Sequence, residues 1–257
     1  MKELSIIIPA FNNYRLTAEC LARIFKSDYP KEKYEIIFVN NASTDKTDML
    51  ISYLLEQDEP IKYIKLNENL NFLRGINRGW KEVETPFLML LNNDVFLNSD
   101  CLSKMMEAIK PDTKIGIVGA LEFLPDGTPT KEKPFMYWGK KNLLEMTFLG
   151  FDEAKIENNV VDVDCVGSAC CIIRKEVSDK IGFFDELFVP CMCEQEDYWM
   201  RTKLAGYRIV MATQAKMTHI VGATTKFHVE YYQNIIKVNK EKFINKWKYL
   251  IEGGKKL

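Results

Sequence analysis

The sequence predicts an α/β fold in which a mainly parallel central sheet is flanked by helices. As far as residue 120, short apolar runs rich in β-branched residues alternate with segments in which apolar residues recur at helical spacing. The apolar runs are continuous, which is typical of strands buried on both faces. Regular alternation of strand and helix favours right-handed crossovers and parallel pairing.

Five apolar runs predict the strands of this sheet, and amphipathic segments between them predict helices. The strands are LSIIIPA (4–10), YEIIFVN (34–40), IKYIKL (61–66), PFLMLL (86–91) and IGIVGA (115–120). Helices are expected over 16–25, from residue 45 onward, over 72–83 and over 100–109.

The second half of the chain is less regular. Residues 121–160 contain several prolines and glycines and few periodic runs, which predicts loops and a hairpin that form a lid. Residues 160–174 have the pattern of strand, turn and strand, and 207–212 that of a strand. Helices are predicted over 196–205 and over 229–249, the second with a basic outer face. No linker or repeat divides the chain, so we expect a single domain, 1–257.

Charge and hydropathy exclude several classes of protein. Lys plus Arg, 35, nearly equals Asp plus Glu, 36, so the chain lacks the basic excess that holds nucleic acid by bulk charge, although a local patch is left open. No stretch approaches the roughly 18 apolar residues of a membrane span. The apolar core of the opening segment MKELSIIIPAF is too short for a signal peptide, and the segment predicts a buried strand.

Cysteine usage predicts a reducing compartment. The chain has seven cysteines, an odd number. Cys191 and Cys193 form a CxC pair, but no matching pair or nearby His completes a zinc-site spacing. We therefore expect buried, reduced thiols and a cytoplasmic protein.

Ligands on parallel sheets bind beyond the carboxyl ends of the strands, which directs attention to residues 11–13, 40–45 and 92–94. In LLNNDV (90–95), three short polar residues follow a buried strand. A carboxylate there suits a hard divalent cation that bridges two phosphates. An ordinary Asn/Asp turn has the same pattern, and the residues alone do not decide between the two.

The segment VNNASTD (39–45) places amides and hydroxyls at the end of a second strand, which suits recognition of a base and a ribose. The alternative is capping of the following helix by Ser43 or Thr44, which leaves Asn40 and Asn41 facing a ligand.

The stretch NENLNFLRGINRGW (67–80) combines glycines with arginine. Gly75 and Gly79 inside a helical pattern indicate a close approach by another group. Arg74 is placed to reach a diphosphate, or it is a solvated arginine on a packed helix.

The segment CEQEDYWMR (193–201) opens a helix with three carboxylates, Glu194, Glu196 and Asp197. Acidic residues favour helix N-termini in general, but a carboxylate here also suits a general base that deprotonates an acceptor hydroxyl. His219, one of two histidines, ends the apolar-rich segment 207–219 and is either a satisfied structural residue or a metal ligand.

In this order, the stretches resemble the family 2 glycosyltransferases with the GT-A fold, in their general, rhamnosyltransferase-like group. The resemblance runs from SIIIPAFNN to the helix after His219. Its motifs are SIIIPAFN, VNNASTD, ENLNFLRGINRG, LLNNDV as a variant of the Asp-x-Asp metal motif, VGSACCIIRKEVSDKIGFFDELF and EQEDYWMRTKLAGYRIV. Each motif alone is weak, whereas the ordered set is specific.

The resemblance implies a metal-dependent, inverting hexosyltransferase that takes a UDP- or TDP-sugar. Asp94 and His219 would ligate Mn²⁺ or Mg²⁺, and a carboxylate of the 194–197 segment would be the base. Residues 1–120 would form the nucleotide-sugar-binding half, 121–228 an acceptor and catalytic half with a smaller sheet, and 229–257 a C-terminal helix. The residues implied for the nucleotide sugar are Pro9, Ala10, Phe11, Asn12, Asn40, Asn41, Arg74, Asn92 and Asn93.

Three residues depart from the family pattern. Asn40 stands where many members have an Asp that contacts the base, and Asn71 stands where Gly is usual. Gln195 occupies the expected position of the base, and a neutral amide cannot accept a proton. A nucleotide-sugar-binding homologue with little or no turnover is therefore the second hypothesis. A dinucleotide-dependent oxidoreductase is disfavoured, because PAFNN and not G-x-G-x-x-G follows the first strand.

No motif identifies the acceptor, which stays open between a glycan, a lipid-linked molecule, a protein and a nucleic acid. Residues 121–160 and the C-terminal helix are expected to select it, with Phe135, Tyr137 and Trp138 either stacking on it or anchoring the loop. Lysines of the tail indicate a solvated helix face, with peripheral contact to an anionic membrane or to nucleic acid as the alternative. They are Lys237, Lys240, Lys242, Lys246, Lys248, Lys255 and Lys256.

Overall fold

The structure is a computed structural model that describes residues 1–130, 135–138, 146–149, 159–220 and 229–252. The strands are β1 (Leu4–Ala10), β2 (Tyr34–Asn40), β3 (Ile61–Lys65), β4 (Phe87–Leu91), β5 (Val95–Leu97), β6 (Ile115–Phe123), β7 (Phe135–Trp138), β8 (Met146–Leu149), β9 (Val160–Val163), β10 (Cys170–Arg174) and β11 (Arg208–His219). The helices are α1 (Tyr14–Phe25), α2 (Thr47–Glu56), α3 (Asn71–Trp80), α4 (Cys101–Ile109), α5 (Lys175–Ile181), α6 (Glu194–Leu204) and α7 (Val229–Glu252).

One sheet of nine strands forms the centre of the molecule, in the order β3-β2-β1-β4-β10-β6-β11-β5, with β9 beside β11. The pairs β2–β3, β1–β2, β1–β4 and β6–β11 are parallel. Strand β10 lies antiparallel between β4 and β6, so β6 and β11 run in the same direction as β1 to β4. Only β5, β9 and β10 among these described strands run the other way, which confirms the mainly parallel sheet.

The continuous apolar runs arise because the sheet is covered on both faces. All seven residues of β1 are buried. Ile6 and Ile8 pack in one hydrophobic cluster with residues of α1, α2 and α4. Ile7 points to the other face and packs with residues of α3, α6 and α7. A strand in this position exposes no side chain to water, so it carries no alternating polar residues.

The start of α2 differs from the prediction. Ser43 and Thr44 do not cap this helix, which begins at Thr47. The Asp45 carboxylate accepts hydrogen bonds from the backbone N–H groups of Thr47, at 3.0 Å, and of Tyr14, at 2.9 Å. Asp45 therefore takes the capping role and also joins the starts of α1 and α2. Strand β5 was not predicted either, because three residues are too few to show a period.

The glycines of α3 allow this helix to lie directly on the sheet. A Cβ added at Gly79 would lie 2.7 Å from Ile7 Cγ2 and 2.9 Å from Val39 Cγ2. A Cβ added at Gly75 would lie 3.3 Å from Asn41 Nδ2. The predicted close approach is confirmed, and it holds the N-terminus of α3 beside the carboxyl ends of β1 and β2.

Helix α7 packs on the body of the protein through polar and apolar contacts. The Lys242 ammonium donates to the Leu187 carbonyl at 3.0 Å, and Lys246 contacts the Asp185 carboxylate at 2.7 Å. The prediction that the tail lysines form a solvated face is therefore wrong for these two residues. Lys255 and Lys256 lie outside the described residues. Within the described part of the chain, no helix combines the length and the apolar character needed to cross a membrane.

The segment 121–160 is described only in part. Strands β7 and β8 pair antiparallel as a separate two-stranded sheet, which confirms a hairpin in this region. The rest of the predicted loops and lid lies outside the described residues, as do the side chains of Phe135, Tyr137 and Trp138. All seven cysteines are free thiols, and five of them are buried.

Candidate active site

A cavity of about 780 Å³ opens beyond the carboxyl ends of β1 and β4. This is the position at which ligands bind on sheets of this kind. Its wall combines residues from both halves of the chain, and ten of the predicted site residues belong to it. They are Pro9, Ala10, Phe11, Asn41, Asn92, Asn93, Asp94, Glu194, Glu196 and His219.

Asn41 shapes the side of the cavity next to β1. Its side-chain Nδ2 donates to the Asn71 carbonyl at 3.0 Å, and its Oδ1 accepts from the Leu70 N–H at 2.8 Å. The amide thus holds the loop before α3 against the end of β2. Asn71 has a φ of 69°, a left-handed conformation that Asn tolerates where Gly is usual.

Three residues predicted to bind the nucleotide do not line this cavity. Asn40 is 0% exposed; its amide donates to the Tyr63 hydroxyl and accepts from the Ser43 N–H, so it holds the turn in place. The Asn12 Oδ1 accepts from the Thr44 N–H at 2.8 Å. Arg74 lies on the surface in an ion pair with Glu186 at 2.9 Å. The structure places all three beside the site rather than in its wall.

Strand register brings Asp94, Glu122 and His219 together. His219 pairs with Val95 across β11 and β5, and the Ile220 N–H donates to the Asp94 carbonyl at 3.0 Å. On the other side of β11, Met217 pairs with Glu122 of β6. As a result, His219 Nε2 lies 3.3 Å from Asp94 Oδ1, and His219 Nδ1 lies 2.7 Å from Glu122 Oε1.

The charge on His219 is set by these two carboxylates. Burial lowers the pKa of His219, but the carboxylates of Asp94 and Glu122 outweigh burial and raise this pKa to about 9. The imidazole is therefore protonated at neutral pH, and a cation that binds to Nε2 must displace a proton. Sequence reasoning missed Glu122, because it ends a strand and belongs to no motif.

The residues present fit a divalent cation. Asp94 Oδ1 is buried and, apart from the 3.3 Å contact with His219 Nε2, has no hydrogen-bond donor among the described residues. The Glu122 carboxylate contacts the other ring nitrogen of His219, Nδ1, at hydrogen-bond distance. Carboxylates orient metal-bound histidines in this way. No group of three or more His, Cys, Asp or Glu side chains arranged for a metal occurs in the described residues. Asp94 and His219 would thus supply two ligands, and the others would come from water or substrate oxygens, as is usual for Mg²⁺.

Unpaired oxygen atoms converge on the cavity. Ten buried side-chain polar atoms have no hydrogen-bond partner in the described structure, and four of them are oxygens of the cavity wall. They belong to Asn92, Asp94, Glu194 and Glu196. Among the described residues, no Lys or Arg side chain lines the cavity. The wall is therefore built for cations and for hydroxyl or amide donors.

The start of α6 presents two of these oxygens. Met192 and Cys193 have left-handed φ values of 74° and 69°, and the helix begins directly after them at the cavity. Gln195 Oε1 accepts from the Ser168 N–H at 3.1 Å, and Gln195 Nε2 donates to Glu196 Oε1 at 3.0 Å. Glu196 is thus held by Gln195 through one oxygen, while its other oxygen is free.

Glu194 and Asp197 differ in environment. Glu194 is 4% exposed, and burial together with the charge of Glu196 raises the pKa of Glu194 to about 8. Asp197 is 0% exposed and turns away from the cavity. Its carboxylate contacts Arg201 at 2.8 Å, Lys246 at 2.6 Å and the Trp247 indole N–H at 3.0 Å. The prediction of Asp197 as a catalytic base is not supported, because these partners bind both carboxylate oxygens in the interior, away from the cavity.

Comparison with known proteins identifies a matching family. The family model described as "Glycosyl transferase family 2" matches residues 5–182. A Methanococcus voltae dolichyl N-acetyl-alpha-D-glucosaminyl phosphate 3-beta-D-2,3-diacetamido-2,3-dideoxy-beta-D-glucuronosyltransferase is 34% identical over 127 residues, which are 47% of this chain and 39% of that protein. The poly-beta-1,6-N-acetyl-D-glucosamine synthase of Staphylococcus aureus is 23% identical over 209 residues, which are 81% of this chain and 48% of the synthase. The chain thus spans less than half the length of these relatives.

Solved structures confirm the predicted GT-A fold. The Pyrobaculum calidifontis mannosyltransferase PcManGT, in complex with GDP-Man and Mn²⁺, is similar with a TM-score of 0.67 at 16% identity over 90% of this chain and 60% of that one. S. aureus TarS 1–349, in complex with UDP-GlcNAc, is similar with a TM-score of 0.64 at 18% identity over 92% of this chain and 65% of that one.

The contact between Glu122 and His219 predicts an effect on metal affinity. We expect Glu122→Gln to weaken Mn²⁺ binding by about 10- to 100-fold, because the histidine loses the carboxylate that orients its ring. Titration of Mn²⁺ by electron paramagnetic resonance measures the free ion directly. Glu107→Gln, an exposed glutamate of α4, is the matched control and should bind as the wild type does. Equal affinities of the two variants would contradict the assigned role of Glu122.

Burial of Glu194 predicts a pH dependence of stability. Its pKa is higher in the folded than in the unfolded protein, so its stabilising contribution is complete below pH 4.5 and is lost as pH rises to about 8. Glu194→Gln is neutral throughout. The melting temperature of the wild type should therefore fall relative to that of the variant between about pH 5 and about pH 9. Glu84→Gln, at an exposed site, should leave the slope unchanged. Parallel curves for wild type and Glu194→Gln would contradict the shift.

Proposed function

The chain belongs to glycosyl transferase family 2, and we propose that this glycosyltransferase domain moves a sugar from a nucleoside-diphosphate sugar to a hydroxyl group of an acceptor. We further propose that the reaction needs Mn²⁺ or Mg²⁺, held by Asp94 and His219, and that it inverts the anomeric carbon. The activity and substrates of the whole protein belong to the proposal, since the match covers only 39% and 48% of the two relatives.

The acidic wall of the cavity is the observation that carries the metal requirement. A diphosphate is anionic, and the described wall offers it no Lys or Arg. The carboxyl groups of Asp94, Glu122 and Glu196 outnumber the one cationic group of the described wall, the protonated His219, which is already paired with Asp94 and Glu122. The raised pKa of Glu194 keeps this fourth carboxyl group protonated at neutral pH. Without a cation, the diphosphate would be repelled. A bound divalent ion would offset the charge that grows on the departing diphosphate. Asp94 Oδ1, whose contact in the described structure is the 3.3 Å ion pair with His219 Nε2, is the oxygen proposed to hold that ion.

The donor is proposed to be a UDP- or TDP-sugar. The solved complexes of similar fold support a nucleotide sugar: TarS contains UDP-GlcNAc and PcManGT contains GDP-Man with Mn²⁺. In this chain, Pro9, Ala10 and Phe11 form the wall at the end of β1 where the base would lie. Phe11 is more than one-third exposed, so its ring is open to a stacked ligand.

Glu196 is the proposed base. The acceptor hydroxyl gives its proton to Glu196 Oε2 while its oxygen bonds to the anomeric carbon, and the bond from that carbon to the diphosphate oxygen breaks. Gln195 acts as a positioning residue, because its amide holds the other oxygen of Glu196. Although Gln195 stands at the expected position of the base, the site thus retains a carboxylate, Glu196, that can accept the proton. This favours an enzyme over a homologue that only binds the donor.

The division of labour along the chain is also a proposal. We assign residues 1–120 to the nucleotide-sugar half, 121–228 to the acceptor and catalytic half and 229–257 to the C-terminal helix of one domain. The boundary at residue 120 lies inside β6, so the two halves share this strand. Glu122, just past the boundary, contacts His219 from it. The cytoplasmic location stays a prediction from cysteine usage.

Release of nucleoside diphosphate tests the proposal. The purified chain is incubated with UDP-, TDP- and GDP-sugars in Mn²⁺ or in EDTA. We expect slow release from one donor, abolished by EDTA and by Asp94→Ala, because the anionic leaving group loses its counter-ion. Isothermal titration of UDP with and without Mn²⁺ separates binding from turnover. Metal-independent release, or neither binding nor release, would overturn the proposed function.

Two neighbouring carboxylates predict opposite phenotypes. Glu196→Gln should lower turnover by about 10²–10⁴-fold with an unchanged melting temperature, because it removes only the proton acceptor. Asp197→Asn should reduce the free energy of unfolding by about 3 kcal/mol, because it replaces a fully buried carboxylate by a neutral amide beside the half-buried cations Arg201 and Lys246. Steady-state kinetics and urea unfolding of both variants measure this contrast. Full activity of Glu196→Gln would contradict the assignment of the base.

A further inference from the structure

Part of the cavity wall is not used by the donor chemistry. It consists of Tyr231 and Tyr232 from the first turn of α7 together with residues 190–196, which lead into α6. Asn239, which is buried in α7, ties these two parts together because its amide donates to the Cys191 carbonyl at 2.7 Å. This hydrogen bond fixes α7 to the segment before α6, so the two tyrosines are held next to residues 190–196.

The two tyrosines form an aromatic surface at the cavity. Their ring centroids lie 5.5 Å apart at an interplanar angle of 78°. Tyr231 is 58% exposed, whereas Tyr232 is half-buried beside Cys191. Burial raises the pKa of the Tyr232 phenol, so its hydroxyl stays protonated at neutral pH and can donate a hydrogen bond. Such a surface suits a ligand with an apolar face and a polar rim. A pyranose ring has this character, since its C–H groups form a face and its hydroxyls surround it.

The remaining polar groups of this wall need donors. The free oxygens of Glu194 and Glu196 are buried and have no hydrogen-bond partner. Sugar hydroxyls would satisfy them, whereas a phosphate would bring further oxygens and negative charge. No lysine or arginine among the described residues lines the cavity to compensate for that charge. The wall therefore favours an uncharged ligand over a phosphorylated one.

We propose that this wall is the acceptor subsite and that its ligand is the terminal pyranose of an uncharged glycan. The sugar ring lies on Tyr231 and Tyr232, and the reactive hydroxyl points to Glu196. The inference rests on the proposed function for its chemistry and adds the class of acceptor to it. The glycan hydroxyl loses its proton to Glu196 and gains the sugar, and the electron pair of the broken bond leaves with the nucleoside diphosphate.

Binding of simple sugars tests this inference without turnover. Saturation-transfer NMR in UDP and Mg²⁺, which is diamagnetic, compares methyl pyranosides of hexoses and N-acetylhexosamines with the same sugars as 1-phosphates. We expect saturation of the ring protons of at least one neutral glycoside and weaker binding of its phosphate. The double variant Tyr231→Ala/Tyr232→Ala should lose affinity by about tenfold, since both rings are removed.

Matched variants exclude an effect on folding. Tyr53→Ala removes a tyrosine of α2 that is also 58% exposed but does not line the cavity, and it should bind glycosides as the wild type does. Tyr231→Phe/Tyr232→Phe keeps both rings and should retain most of the affinity. Tighter binding of the 1-phosphates, or unchanged glycoside binding by the double alanine variant, would overturn the acceptor assignment.

The two proposals fail in different ways. Metal-dependent UDP binding with no glycoside binding at the tyrosines would overturn the acceptor subsite alone. Glycoside binding that depends on both tyrosines, without any UDP binding, would support a sugar site and overturn the transferase function. Where a donor is known, the alanine variant should raise the acceptor KM by a larger factor than the donor KM.

Discussion

The active-site cavity depends on the register of β11, which pairs in parallel with β6 and antiparallel with β5. This double pairing brings Asp94, Glu122 and His219, which are far apart in the sequence, within hydrogen-bonding or ion-pairing distance. A shift of one residue in either pairing would turn His219 to the opposite face of the sheet. The chemistry of the site is therefore fixed by backbone hydrogen bonds.

A second buried group sets the position of α6. Asp197 is surrounded by Arg201, Lys246 and Trp247, so α6 and α7 share one carboxylate in the interior. With that anchor fixed, the preceding turn of α6 points Glu194 and Glu196 into the cavity. Three carboxylates that look equivalent in the sequence thus divide into one that stabilises the fold and two that line the cavity.

The strands of the first half were predictable because burial on both faces leaves an unbroken apolar run. The proximity of Asp94 and His219, which we propose to hold a cation, was predictable only from the ordered motifs. Glu122 was not, since a carboxylate at the end of a strand has no local signature and acquires its partner through pairing. The environments of Asn40 and Asp197 were likewise beyond the sequence, because polar residues next to a site can face either the ligand or the core. Tertiary contacts decide between these outcomes.

The anchoring of α7 also bears on how the chain is made. Lys246 and Trp247 leave the ribosome some fifty residues after Asp197, the separation seen in their hydrogen bond. Until then, Arg201 is the nearest counter-charge that the aspartate can reach. During synthesis, strands β1 to β6 are thus complete well before the wall that carries Tyr231 and Tyr232. The order of synthesis therefore completes the cavity last, because His219 and the two tyrosines that line it come late in the chain.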